Sequence, residues 1–331
     1  MPPFSGTAYL ALDRHPDYMA YVREGLGHYG AHYGGSRRSE LAPEVYPLLE
    51  AGLARFAGAP AALLASSGTV AGQLASQWAG EPNAELHYAP WTHPALWQPG
   101  GKHYRTTSGW SRGITEALAR GRRVVALADS VSPLYALQAP WEWLAQAPPD
   151  APLTVVVDDS HAIGVAGEWG QGHWTRLRAA WGGRLLVCAS LGKAFSTPGG
   201  VIWGEPETLE EIGESARFGS ASPPPPAFAW AWLQAEAQGL LSQQHQTLRH
   251  NIDAAARRLS ALEDFYYLPG FPFFCTPRHE LAGWLRRRDI LISSFHYPGP
   301  ADPLITRVVV TAAHNEADLE RLEEALLDWK K

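Results

Sequence analysis

Lys193, in LVCASLGKAFSTPGG, follows Asp158 of VVVDDSHAIGVAGEWGQG by 35 positions, and each segment runs from an apolar strand pattern into a Gly-rich turn. A lysine can supply a primary amine for an imine, a carboxylate can hold a proton on a ring nitrogen, and hydroxyls or backbone N–H groups can hold a phosphate. Pyridoxal 5'-phosphate needs that set of groups, so an Asp-x-x-His segment followed by a Ser-x-x-Lys segment predicts that cofactor.

The elements that must carry these residues alternate along the chain. Val45, Leu48, Leu49, Leu53 and Phe56 recur at helical spacing and stop at Gly58 and Pro60. AALLASS then reads as a short buried strand, SGTVAGQLASQWA as a turn into a helix, and ELHYAP, RRVVALAD, LTVVVDD, RLLVCAS and GGVIWG as further strands. The pattern predicts an α/β fold with a mostly parallel mixed sheet and covering helices. Ligands of such sheets collect beyond the strand C-termini, where Ser66 to Thr69, Asp129, Asp158, His161, Ser190 and Lys193 fall. SASPPPPAF breaks the alternation, because consecutive prolines impose an extended connector. A large domain is therefore expected over 31–221 and a small C-terminal α/β domain over 222–331, with residues 1–30 packing on the small domain. Beyond the prolines a long helix interrupted at Gly239 is expected. Strands around FPFFC, ILISSF and RVVVTAA then alternate with helices at HELAGWLRRR and EADLERLEEALLDW.

Composition narrows the function classes. With 331 residues, 46% of them hydrophobic and 18% charged, the chain can bury a large core. Its 27 Lys and Arg against 33 Asp and Glu give a net charge of -6 with no basic block, which argues against a nucleic-acid partner. No stretch approaches the roughly 20 apolar residues of a membrane span, and the start lacks a basic region followed by an apolar one. A cytoplasmic protein without a membrane partner is expected. Cys188 and Cys275 are too few and too far apart for a disulfide framework or a zinc site, so no metal is expected. Of the 14 Trp, Trp78, Trp91, Trp97 and Trp110 flank the site region, and most of the 14 are expected to be packing.

The most specific stretch is DDSHAIGVAGEWGQG. Its Asp158, His161, Gly164, Val165, Gly167, Gly170 and Gly172 match the Asp-Glu-Ala-His-Ser-x-Gly-Val-x-Gly-x-x-Gly-x-Gly of the α-oxoamine synthases. The chain resembles that family nearly end to end, and through it the fold-type I pyridoxal-phosphate enzymes of the class I/II aminotransferase superfamily. The resemblance implies that Lys193 forms the cofactor aldimine and, once freed, moves the substrate Cα proton. It implies that Asp158 pairs with the ring nitrogen, Asp159 facing the other side of the strand, and that His161 bonds the ring 3'-oxygen. Ser190 would donate to the phosphate, and Ser67, Gly68 and Thr69 resemble a Ser-Gly-Tyr/Phe turn that binds it. Ser220, in RFGSASPP, resembles a residue that reaches the phosphate of the neighbouring subunit, which implies a homodimer. His93, in YAPWTHPAL, matches the histidine of Asp-x-x-Asn-His-Ala-Ser that stacks on the ring, and His93 or Trp91 could supply that plane. Arg307, in ITRVVVTAAH, resembles the arginine whose fork clamps the substrate α-carboxylate. The structural alternatives at these positions are a solvated lysine, an Asp helix cap, a core histidine and, at Arg307, a structural salt bridge.

Three segments depart from the family pattern. Thr7 stands where an Asn is expected in Thr7-Ala8-Tyr9-Leu10, which predicts a more open site mouth. His32 and Tyr33 replace small residues and would narrow or re-shape the substrate channel. Asp129, Ser130, Val131 and Pro140 are kept, but a Ser-Met-Asp-Gly-Asp run has become Pro133-Leu134-Tyr135-Ala136-Leu137, replacing a polar contact with apolar ones. The resemblance implies a pyridoxal-phosphate acyltransferase that condenses an amino acid with an acyl thioester such as acyl-CoA, with decarboxylation. An aminotransferase or a retro-aldol C–C lyase would share the cofactor contacts, and a non-catalytic member of the family is the third reading.

Overall fold

The computed structural model describes residues 2–80, 82–139, 141–148, 150–260, 262 and 264–329; Pro140 lies outside them. A central sheet is built from β1 (Ala61–Ala65), β2 (Glu85–Tyr88), β3 (Lys102–His103) and β4 (Val124–Asp129), then, after the hairpin of β5 (Val131–Ser132) and β6 (Leu137–Gln138), from β7 (Leu153–Asp158), β8 (Arg184–Ser190) and β9 (Gly200–Gly204). Seven strands run in the order β1-β9-β8-β7-β4-β2-β3. Neighbours from β8 to β3 are parallel, and β9 is antiparallel to both β8 and β1.

Continuous apolar runs form these strands because both faces are covered. On β7, Val155 and Val157 join one buried cluster while Val156 joins another, and on β8 Val187 and Ala189 part from Leu186 and Cys188 in the same way. The chain first supplies α1 (Pro16–Tyr29), α2 (Val45–Ala57), α3 (Gly68–Gly80), α4 (Thr107–Ala119), α5 (Trp174–Ala180), α6 (Pro206–Glu214) and α7 (Ala216–Ser220). The α2 side chains pack on the Val155 side, those of α3 on the Val156 side.

After the prolines, α8 (Pro226–Ala237) and α9 (Leu240–Leu259) are parted by Gly239 at φ 75°, a left-handed conformation that a continuous helix does not contain. A second sheet, of β10 (Tyr266–Tyr267), β11 (Phe273–Thr276), β12 (Ser293–His296) and β13 (Leu304–Val309), is antiparallel throughout in the order β10-β11-β13-β12. Its helices are α10 (Leu281–Arg286) and α11 (Glu316–Trp329). Leu248 and Ile252 of α9 belong to the main core and Ala255 and Leu259 to the second sheet's core, so one helix spans both.

The first residues tie the two sheets together. Phe4 N donates to Leu291 O at 2.8 Å and Phe4 O accepts from Val309 N at 3.0 Å. Tyr9 O then accepts from Ala312 N at 2.9 Å, and Leu10 N donates to Ala194 O at 3.3 Å, next to Lys193. The helix that follows, α1, lies against α8.

Candidate active site

Parallel pairing sets Asp129 beside Asp158 and Asp158 beside Cys188, so β4 and β7 end level and β8 runs two residues further, to Ser190. Alternation then puts Ser190 on the same face as Cys188. Asp159 points the other way, where its carboxylate takes His173 Nδ1 and His173 N, each at 2.9 Å. The strand geometry therefore turns Asp158 to the face shared by Cys188 and Ser190, and Asp159 away from it. Asp158 Oδ1 accepts from Ser160 N at 2.9 Å, and Ser160 Oγ accepts from Ser190 N at 2.8 Å, binding the turns after β7 and β8 to each other.

Lys193 sits on a compact turn closed by Leu191 N to Gly199 O at 3.0 Å and Thr197 N to Leu191 O at 3.1 Å. With Arg307 of β13, it lines a cavity of about 390 Å³ that also has Thr7, Asp129, His93 and His161 in its wall. Burial pushes the lysine's pKa down, against the pull of Asp158 and Asp129. That favours the neutral, nucleophilic amine. Burial, reinforced by Asp158, pushes the Asp129 carboxyl well above its usual range, and Asp129 Oδ1 accepts from His93 N at 2.9 Å.

The two histidines are held in defined states. His93 Nδ1 accepts from Ala95 N at 3.1 Å, and burial lowers the ring's pKa, so the imidazole is neutral with its proton on Nε2. His161 Nδ1 lies 2.8 Å from the Tyr9 hydroxyl. Burial, then Lys193 and Arg307, push His161 well below the usual imidazole value, while burial lifts Tyr9 to about 12. A protonated phenol facing a neutral imidazole donates to Nδ1, which leaves Nε2–H of His161 free to donate.

Arg307 is only 5% exposed. Its Nη1 donates to Pro133 O at 2.9 Å, Phe295 lies 5.9 Å from the guanidinium, and Nε is buried without a partner. No carboxylate stands among these contacts of the described residues, so the cation is buried with part of its fork unused.

A second group of residues forms at the start of α3. Ser67 Oγ caps Val70 N at 3.2 Å and Ser67 O accepts from Ala71 N at 2.9 Å, while the Gly68 and Thr69 N–H groups have no intrahelical acceptor. A Cβ on Gly68 would fall 2.5 Å from Ser190 Cβ, and one on Gly200 would fall 2.2 Å from Ser67 O. Only glycines allow the helix start, β8 and β9 to meet so closely, and the N–H groups there suit a phosphate. An amine, a buried strand-end carboxylate, an imidazole N–H and this phosphate cradle at one sheet end together fit pyridoxal 5'-phosphate.

The family model for aminotransferase class I and II matches residues 132–326. An 8-amino-7-oxononanoate synthase of Pseudomonas aeruginosa is 30% identical over 99% of this chain and 86% of its own length. The chain belongs to the aminotransferase class I and II family. Among solved structures, serine palmitoyltransferase of S. paucimobilis superposes with a TM-score of 0.84 at 16% identity, covering 98% of this chain and 86% of that one. An 8-amino-7-oxononanoate synthase from Francisella tularensis gives 0.75 at 19%, covering 99% and 97%. At these identities the two structures establish a shared fold.

Of the residues singled out from sequence, Lys193, His161, His93, Trp91, Thr7 and Arg307 line the cavity. Asp158 and Ser190 stand at the adjoining strand ends, and Ser67, Gly68 and Thr69 at the facing helix start. Ser220 does not line the cavity: it is exposed at the end of α7, its hydroxyl donating to Arg217 O at 3.2 Å. His32 and Tyr33 do not narrow the cavity, contrary to expectation. His32 is exposed and Tyr33 turns its ring edge to Tyr46 at 6.3 Å, because the Gly-rich segment carrying them runs along α2. Tyr9, Ser160, Phe295, Tyr297 and Asp302 were not legible as site residues. Tyr9 and Phe295 reach it only through long-range pairing, and Ser160 could have been found from its place between Asp158 and His161.

Proposed function

We propose that the protein is a pyridoxal-phosphate-dependent α-oxoamine synthase, which joins an amino acid to the acyl group of a thioester and releases the thiol and carbon dioxide. The observation that carries this reading is one cavity lined by both Lys193, its amine shifted toward neutrality, and the buried, incompletely paired Arg307. The names of the relatives support the acyl-transfer outcome.

When bound, pyridoxal phosphate supplies an electron sink for negative charge developing at the amino-acid Cα. Asp158 would hold the proton of the ring nitrogen, Nε2–H of His161 the ring oxygen, and Ser67, Gly68, Thr69 and Ser190 the phosphate. His93, its Nδ1 fixed by Ala95 N, supplies an aromatic face to the cavity. Arg307 receives the α-carboxylate on its unused fork positions, which fixes where Cα lies. Nζ of Lys193 takes the Cα proton, Cα attacks the thioester carbonyl, and the thiolate leaves with its electron pair. Loss of the carboxylate as carbon dioxide returns a pair to Cα, which regains a proton from Lys193.

The working assembly in this proposal is a cytoplasmic homodimer in which Ser220, exposed on the single chain, approaches the partner's phosphate. Among the described residues no helix is long and apolar enough to cross a membrane. The test is a pairwise screen of amino acids with acyl-CoA or 2-oxo acids. Thiol release stoichiometric with carbon dioxide, absent in Lys193→Ala, is the expected result; amino-group transfer without thiol release would overturn the reading.

A further inference from the structure

The residues Pro133 to Leu137, which break the family pattern, have no part in the steps above, yet three of them, Pro133, Leu134 and Tyr135, line the cavity. Tyr135 meets Trp91 at 4.9 Å between ring centroids, with planes at 37°. Both turns that present these rings are strained: Trp91 has φ 61° and Ala136 φ 49°. Bulky residues adopt the left-handed region at a cost, and such strain gathers at sites of function. Trp91 is nonetheless 45% exposed, so burial is not what holds it there.

The cavity wall also holds Phe295, 39% exposed, and Tyr297, their rings 6.3 Å apart and nearly perpendicular. The charges in the wall are equally informative. Its Lys and Arg side chains are Lys193 and Arg307, both committed to the amino acid and cofactor, and the remaining charges include the carboxylate of Asp302, which takes Gly299 N at 2.8 Å. Among the described residues, no Lys or Arg of the wall remains to meet a second carboxylate. A carboxylate ending in this aromatic space would lose hydration without a partner and face Asp302.

We infer that Trp91 and Tyr135, with Phe295 and Tyr297 of the same cavity wall, form the acyl subsite, and that it selects an uncharged, hydrophobic acyl group over one ending in a carboxylate. The inference rests on the acyl-transfer reading and departs from what the relatives' name suggests, since an oxononanoate carries a carboxylate at the far end from its ketone. A neighbouring cavity shares Trp91, Asp129 and Ser132 and contains the exposed Arg105, a cation that could meet such a carboxylate.

The test uses the cofactor-loaded protein with its best amino acid and two series of pantetheine thioesters, straight-chain acyl and ω-carboxyacyl. Within the first series kcat/KM should rise about fourfold per added methylene while the subsite fills. The ω-carboxy compounds should be poorer by on the order of 10- to 100-fold. Trp91→Gly, which the left-handed backbone accepts, and Tyr135→Ser should each lower thioester kcat/KM about tenfold or more with the amino-acid KM unchanged. Calorimetry with the unreactive thioethers S-octylpantetheine and S-(7-carboxyheptyl)pantetheine reads the same preference without turnover. A preference for the ω-carboxy series that is lost in Arg105→Ala, or unchanged acyl selectivity in both aromatic variants, overturns the inference and leaves acyl transfer standing. If Cα hydrogen exchanges with solvent but no thioester of either series releases thiol, the acyl-transfer reading fails, and the inference with it.

Discussion

Arg307→Met separates a substrate clamp from a structural arginine. The guanidinium is 5% exposed, with one bond to the Pro133 carbonyl and an unpartnered Nε. A hydrogen bond to a charged group contributes about 1.5–3 kcal/mol, so a two-point contact with an α-carboxylate is worth at least about 3 kcal/mol, or roughly 150-fold in affinity. Stability should respond quite differently. Removing Nη1 leaves the Pro133 carbonyl with only the weak Cys275 Sγ contact at 3.6 Å, but it also removes a buried cation without a counter-charge. Those terms oppose each other and are similar in size. With about 2 cal/mol/K of unfolding entropy per residue over 331 residues, 1 kcal/mol moves the melting temperature by only about 1.5 °C. Thermal melts without amino acid should therefore agree with wild type within about 2 °C, while the amino-acid KM, read from thiol release, rises about 100-fold or more. Arg307→Lys, which keeps the charge but loses the fork, should fall between. A melting temperature lower by 5 °C or more with KM unchanged would show a structural residue and refute the clamp.

Two further outcomes follow from the buried histidines. Tyr9→Phe leaves Nδ1 of His161 without its donor at a cost of about 1–3 kcal/mol, or about 1.5–4.5 °C in the melt, and should lower kcat while the amino-acid KM holds; an unchanged kcat would mean that the phenol does not orient the ring. Burial also holds His87, His93, His161, His245 and His314 below the ordinary 6.5. The unfolded chain then binds protons first as pH falls through about 6.5, so stability is complete above that value and declines below it. Asp129, with its raised pKa, acts in the opposite direction, as one group against five. Urea midpoints at pH 7.5, 6.5 and 5.5 should decrease in that order, and a flat series would contradict neutral burial.

The sheet and half of the site are legible in sequence for one reason: Asp129, Asp158 and Ser190 each end an apolar run, and parallel strands deliver their ends to one edge. Gly239 was equally readable as a break in the long helix. The reversed direction of β9 was not, since GGVIWG is buried on both faces and reads the same either way. Pairing across long separations leaves no periodic trace, which is why Tyr9, 152 positions from His161, carried no signal of its role. The departures at Pro133 to Leu137 were visible as a change from polar to apolar, but the partner that gives the change meaning, Trp91, is found only in the folded chain. His32 and Tyr33 show the converse: bulk in a family motif does not reveal which way a segment faces.

The hydrogen bonds of residues 4–10 to Leu291, Val309, Ala312 and Ala194 also bear on how the molecule is made. A chain synthesised from its N-terminus holds this segment idle until the second sheet has emerged, because Leu291, Val309 and Ala312 lie some 300 positions downstream. Non-local closures of this kind slow folding, and exposed apolar segments awaiting partners are open to aggregation. Until Phe4 and Tyr9 reach those partners, the Lys193 turn and β13 lack their shared backbone brace. Active-site completion should thus be a late event in biogenesis, following formation of the central sheet.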